Sequence, residues 1–111
     1  MQARLKSSVY VQALMRRAES DGAQAYLLRR GAEEAGAVFL KVNRLDGSFM
    51  VLARALQGGE GKLVWTRPCG ASADEAKATD YFARQIKFDP DIWIIEIEDR
   101  QGRAFVDEPI V

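Results

Sequence analysis

Lys41, Asn43, Arg44 and Arg54 are the side chains of this sequence on which a binding chemistry can be built. They lie in and around two alternating apolar runs within Gly36–Arg54, separated by Leu45-Asp46-Gly47-Ser48. If Lys41 and Arg54 project the same way from neighbouring strands, they form with Arg29 or Arg30 a cationic platform for a carboxylate or phosphate. Asn43 then adds hydrogen bonds. The alternative is a row of solvent-side charges on a half-buried sheet, paired with Glu96 and Glu98. A small enzyme or an anion-ligand sensor would instead need Lys41, Arg44 and a carboxylate such as Glu96 around a pocket.

Other chemistry is weaker on spacing. Asp89, Asp91, Glu96, Glu98 and Asp99 form an acidic set, and Glu96 and Glu98 share a strand face about 7 Å apart. No Asp-x-Asp-x-Asp-Gly loop accompanies them, so neither a metal nor a cofactor is expected. Paired carboxylates can hydrolyse glycosides across a cleft, for which so small a domain offers little room. Cys69 precedes a helix start, where a thiol can be activated, but no histidine or second cysteine supports it. Gly58-Gly-Glu-Gly-Lys62 misses the phosphate-loop spacing, with Leu63 in place of the hydroxyl, and reads as a turn.

The composition narrows the partners. Lys plus Arg equals Asp plus Glu at 16 each, so no global field recruits nucleic acid or an anionic membrane. Trp65, Trp93, Phe39, Phe49 and Phe105 can stack on bases in principle, but their alternation with aliphatic residues favours a core. No apolar run approaches the ~18 residues of a membrane span, and the N-terminal residues lack the apolar region of a secretion signal. A cytoplasmic protein is expected. The absence of histidine removes Ser-His and Cys-His nucleophile pairs and imidazole metal sites.

These side chains need elements to position them. Val11, Leu14, Met15 and Ala18 make one apolar stripe, predicting a helix near Ser8–Ser20 capped by Ser7 or Ser8. Residues 23–30 read as a short strand that pairs with the next one. Asp46-Gly47 predicts a two-residue hairpin loop, which sets Val42 opposite Val51, Leu40 opposite Ala53 and Val38 opposite Ala55. Residues 62–67 complete a meander. Ser72 and Glu75 form a capping-box pattern for a second helix that ends at Asp89-Pro90. In residues 91–99, Trp93, Ile95 and Ile97 alternate with Ile92, Ile94, Glu96 and Glu98, the pattern of an interior strand whose far end reaches water. A last short strand is expected over Arg103–Val106.

The order α-β-β-β-β-α-β-β predicts an α+β fold: a single twisted, mostly antiparallel sheet of about five to six strands with two helices on one face. One domain over residues 1–111 is expected, with a core at about 7–106 and loose ends at 1–6 and 107–111.

Arg4-Leu-Lys-Ser7, Arg29-Arg-Gly31, the run from Gly36 to Gly47 and that from Phe88 to Asp99 carry a resemblance. The chain resembles a family of small alphaproteobacterial proteins known only as a domain of unknown function. The resemblance runs from Arg4 to about Phe105 and implies a small, free-standing bacterial cytoplasmic protein. It implies no catalytic residue or cofactor.

On the residues alone, the expectation is a non-enzymatic interaction or ligand-binding module. Its surface would be Lys41, Asn43, Arg44 and Arg54, and its partners a homodimer mate, another protein or a small anionic ligand. Nucleic acid ranks behind these.

Overall fold

The computed structural model describes residues 5–111; of the N-terminal residues expected to be loose, 1–4 lie outside the described residues. The chain runs α1 (Ser7–Ser20), β1 (Gln24–Arg29), β2 (Val38–Asn43), β3 (Phe49–Gln57), β4 (Lys62–Thr66), α2 (Glu75–Phe88) and β5 (Trp93–Glu98). The strands form one sheet in the order β1-β5-β2-β3-β4. All pairs are antiparallel except β2 with β5, which is parallel. The α+β class stands, as does the interior position of the Ile-rich strand.

The two helices do not share a face. Val11, Leu14 and Ala18 of α1 pack on Leu40, Val42, Leu52, Trp93 and Ile95, whereas Ala78 and Phe82 of α2 pack on Phe39, Val51, Ile92 and Ile94. The reason is in the central strands, which are apolar on both sides and need a helix on each. Phe39 anchors the second layer, its ring meeting Phe82 edge-on at 6.2 Å.

The hairpin register also differs from expectation. Arg44 N–H donates to Ser48 O at 3.2 Å, closing a three-residue loop in which Leu45 and Gly47 adopt positive φ of 63° and 88°. Asn43 and Asp46 side chains hold this loop by accepting from the amides of Leu45 and Ser48, each at 2.9 Å. One extra loop residue changes the parity of the pairing. Lys41 therefore lies opposite Val51, Leu40 opposite Leu52 and Val42 opposite Met50.

β1 does not pair with β2 but with β5, which lies between them. The connection can do this because Gly31 and Gly36 press against the start of β5, where an added Cβ on either would collide with the Asp91 carbonyl. Ala32 N–H donates to Asp91 O at 2.9 Å, and the Trp93 indole donates to Ala32 O at 2.7 Å.

The helix starts differ as well. The amides of Ser7 and Ser8 donate to the carbonyls of Glu34 and Glu33, both at 3.0 Å, so a neighbouring turn caps α1 in place of a serine side chain. Asp74, and not Ser72, caps α2, accepting from Lys77 N–H at 2.8 Å. Ala73 is held extended by two 2.8 Å bonds to Phe49, which delays the helix to the next residue.

Arg103–Val106 forms no strand. Arg103 is drawn back to Asp99, donating from its backbone at 2.8 Å and from its guanidinium at 2.9 and 3.0 Å. The C-terminal residues are tied down and not loose: Trp65 N–H donates to Pro109 O and Val111 N–H to Trp65 O, both at 2.8 Å, along the outer edge of β4.

Candidate functional site

Lys41 stands at the middle of β2, on the face covered by α2, and is only 8% exposed. The parallel ladder sets it beside Glu96 of β5. Its Nζ lies 3.3 Å from Glu96 Oε1 and 3.9 Å from Glu75 Oε1, over the Phe49 ring at 4.7 Å from its centroid. Asn43, two residues along the same face, donates from Nδ2 to Glu96 Oε2 at 3.3 Å. One carboxylate thus bridges the lysine and the amide. A buried charge is tolerated when its partners satisfy it, and these do.

Arg54 lies on the other face. Its register partner is Trp65 of the α1-side core, and its guanidinium stacks over Tyr10 at 4.5 Å from the ring centroid. The two cations meant to converge are separated by the sheet, because the loop is one residue longer than expected. Arg44 is engaged elsewhere, donating to Ala71 O at 2.9 Å and Ser48 Oγ at 3.4 Å. A cleft of about 350 Å³ beside Arg54 is lined also by Leu5, Lys6, Ser7, Glu34 and Ala35. There Glu34 balances Lys6 at 3.9 Å.

Around Arg54 the structure builds a polar knot that sequence reasoning missed. Glu108 Oε1 accepts from Tyr10 Oη at 3.0 Å and from Trp65 Nε1 at 2.9 Å. Burial pushes the Glu108 carboxyl up, but these two hydrogen bonds, with its backbone amide and the charge of Arg54, together hold the group below its ordinary range. Burial, followed by the charge of Glu108, pushes the Tyr10 phenol well above its ordinary value. The acceptor sits 98 residues from Tyr10, a separation that no local pattern spans.

The remaining candidates resolve into structural roles. Cys69 is buried and burial raises its thiol pKa. Trp65 and Trp93 are fully buried, and Phe39 and Phe49 nearly so. Gly58–Gly61 forms the β3–β4 turn, closed by Gly61 N–H to Gly58 O at 3.1 Å. Among the described residues, no three Cys, Asp or Glu side chains converge to hold a metal ion. Among the same residues, no helix is long and apolar enough to cross a membrane.

The surface that does stand open is the outer edge of β1. Tyr26, Leu27 and Leu28 are 45%, 43% and 50% exposed, and among the described residues nothing pairs with this edge. A bulge at Leu28 interrupts the ladder to β5 between Leu27 and Arg29. Three consecutive apolar residues in a short strand were the available signal. What hid it was the strand's assumed pairing with β2.

Comparison with known proteins agrees with this fold. No curated protein matches the chain. A crystal structure of a DUF1491 family protein from Caulobacter crescentus is similar at a TM-score of 0.90 and 41% identity, covering 97% of this chain and 100% of that one. An NMR structure of a DUF1491 family protein from the same organism gives 0.87 and 40%, covering 99% of each chain. The solution structure of a protein from A. tumefaciens gives 0.79 and 28%, covering 96% and 95%. The family model described as "Protein of unknown function (DUF1491)" matches residues 5–107, and the chain belongs to that family.

Proposed function

We propose that this chain is a small, cytoplasmic, non-enzymatic interaction module whose working surface is the edge of β1. The observation that carries the reading is the contrast between this edge and the residues first singled out for binding. Lys41 and Asn43 are engaged by Glu96, Arg44 by Ala71 and Arg54 by Tyr10. Tyr26, Leu27 and Leu28 present apolar surface beside unpaired strand backbone, the Tyr26 hydroxyl alone being engaged, donating to Glu98 Oε1 at 3.3 Å. Such an edge adds a strand from a partner, the backbone supplying affinity and the side chains selectivity. The small-anion reading loses its support, because Lys41 and Arg54 lie on opposite faces and Lys41 is neutralised by two carboxylates.

A photo-crosslinking residue placed at Tyr26, with a control at exposed Gln101, tests the reading in cells. Discrete protein adducts at position 26 and none at 101 are expected. Equal labelling at both positions would contradict it.

A further inference from the structure

We infer that the partner of β1 is a second copy of this chain, joined edge to edge in an antiparallel, two-fold-symmetric pair. The inference rests on reading β1 as the working edge and names what that edge binds.

Both ends of the sheet begin as open edges, but only one stays open. The β4 edge is closed by the chain itself, through the bonds of Trp65 to Pro109 and Val111. Edge strands are ordinarily guarded by charge, proline or cover. β1 reads Gln-Ala-Tyr-Leu-Leu-Arg, with its charge confined to one end.

That charge is complementary to the other end of the same strand. Arg29, followed by Arg30, marks the C-terminal end of β1, while Glu98 of β5 flanks Gln24 at the N-terminal end. Arg29 pairs with Ile94 in the ladder, so it shares the α2-side face with Glu96 and Glu98. An antiparallel two-fold pairing lays each basic end over the acidic end of the other copy. In a pair whose axis is perpendicular to the sheet, opposed residues must come from the same face. A register centred on Tyr26 meets this condition, with Tyr26 opposite Tyr26, Ala25 opposite Leu27 and Gln24 opposite Leu28.

In that register Arg29 of one copy, which also donates to its own Pro90 O at 2.7 Å, and Glu98 of the other, which also accepts from its own Tyr26 Oη at 3.3 Å, are two strands apart, about 10 Å between backbones, within the combined reach of their side chains. The two tyrosine rings meet at the axis, a cross-strand aromatic pair that adds to the backbone bonds. Zero net charge means that the copies do not repel at long range. Six residues give an edge of only ~20 Å, and the bulge at Leu28 shortens the regular part, so the interface falls at the small end and the dimer forms reversibly with concentration.

Sedimentation velocity over a hundredfold concentration range tests this on the full chain and two charge reversals, Arg29→Glu and Glu98→Arg. The wild type should shift from monomer toward dimer. Each reversal alone should remain monomeric, because like charges then face each other twice. An equimolar mixture should regain the dimer, because every cross-copy pair is then opposite in sign. Thermal melts establish that each variant folds. If the folded variants fail to rescue each other in the mixture, the two-fold pairing is wrong. If the wild type stays monomeric while position 26 still crosslinks to another protein, self-pairing fails and the edge reading survives. If it stays monomeric and position 26 crosslinks to nothing, both fail.

Discussion

Lys41 illustrates how a residue that suggests chemistry can serve the fold. Its ammonium, Glu96 and Asn43 form a buried set in which removing one member strands the others. Glu96→Gln or Lys41→Met alone should each cost about 3 kcal/mol in urea denaturation, while the double variant should cost less than either. Additive losses would show that the pair is not coupled. Asp99 gives a pH signature. Hydrogen bonds from the Arg103 side chain, opposed in part by burial, hold its carboxyl below the ordinary value. A carboxyl depressed in the folded state contributes stability above its unfolded pKa of about 3.9, and that contribution is lost as pH falls through the folded value. Stability of the wild type should therefore drop more steeply below pH ~4 than that of Asp99→Asn, as measured by denaturation midpoints against pH. Equal slopes would contradict the assigned partner.

At the scale of elements, the tail and the hairpin carry most of the difference between pattern and structure. Deleting residues 107–111 removes the Trp65 N–H bond to Pro109 O and the Val111 N–H bond to Trp65 O, and takes Glu108 from Tyr10 and the Trp65 indole. A loss of about 2 kcal/mol, or ~10 °C in Tm, should follow, with a red shift of Trp65 fluorescence. An unchanged melt would mean the tail does not close that edge. Strand positions were legible because alternation marks them, and the meander and the interior β5 followed from it. The hairpin register was not legible. Both faces of β2 and β3 carry apolar residues, so hydrophobic pattern does not choose between registers, and the choice falls to Leu45 taking positive φ. A two-residue loop puts Lys41 and Arg54 on one face, and a three-residue loop puts them on opposite faces. The pairing of β1 depended on Gly31 and Gly36 meeting Asp91, a contact between segments 55 to 60 residues apart.

Across the whole molecule, the α+β class was readable because two helical stripes and a run of alternating segments admit few packings. The side taken by each helix was not, since it depends on which strand faces are left uncovered once the sheet order is set. The finished sheet has one edge closed by its own tail and one left apolar and open, and this asymmetry carries the functional account. Amide hydrogen exchange across the sheet at low and high protein concentration tests it most directly. The Trp65 amide should be protected at both concentrations, while outward-facing amides of residues 24–28 should exchange rapidly in dilute protein and become protected when it is concentrated. Residues 24–28 exchanging at the same rate at both concentrations would contradict it.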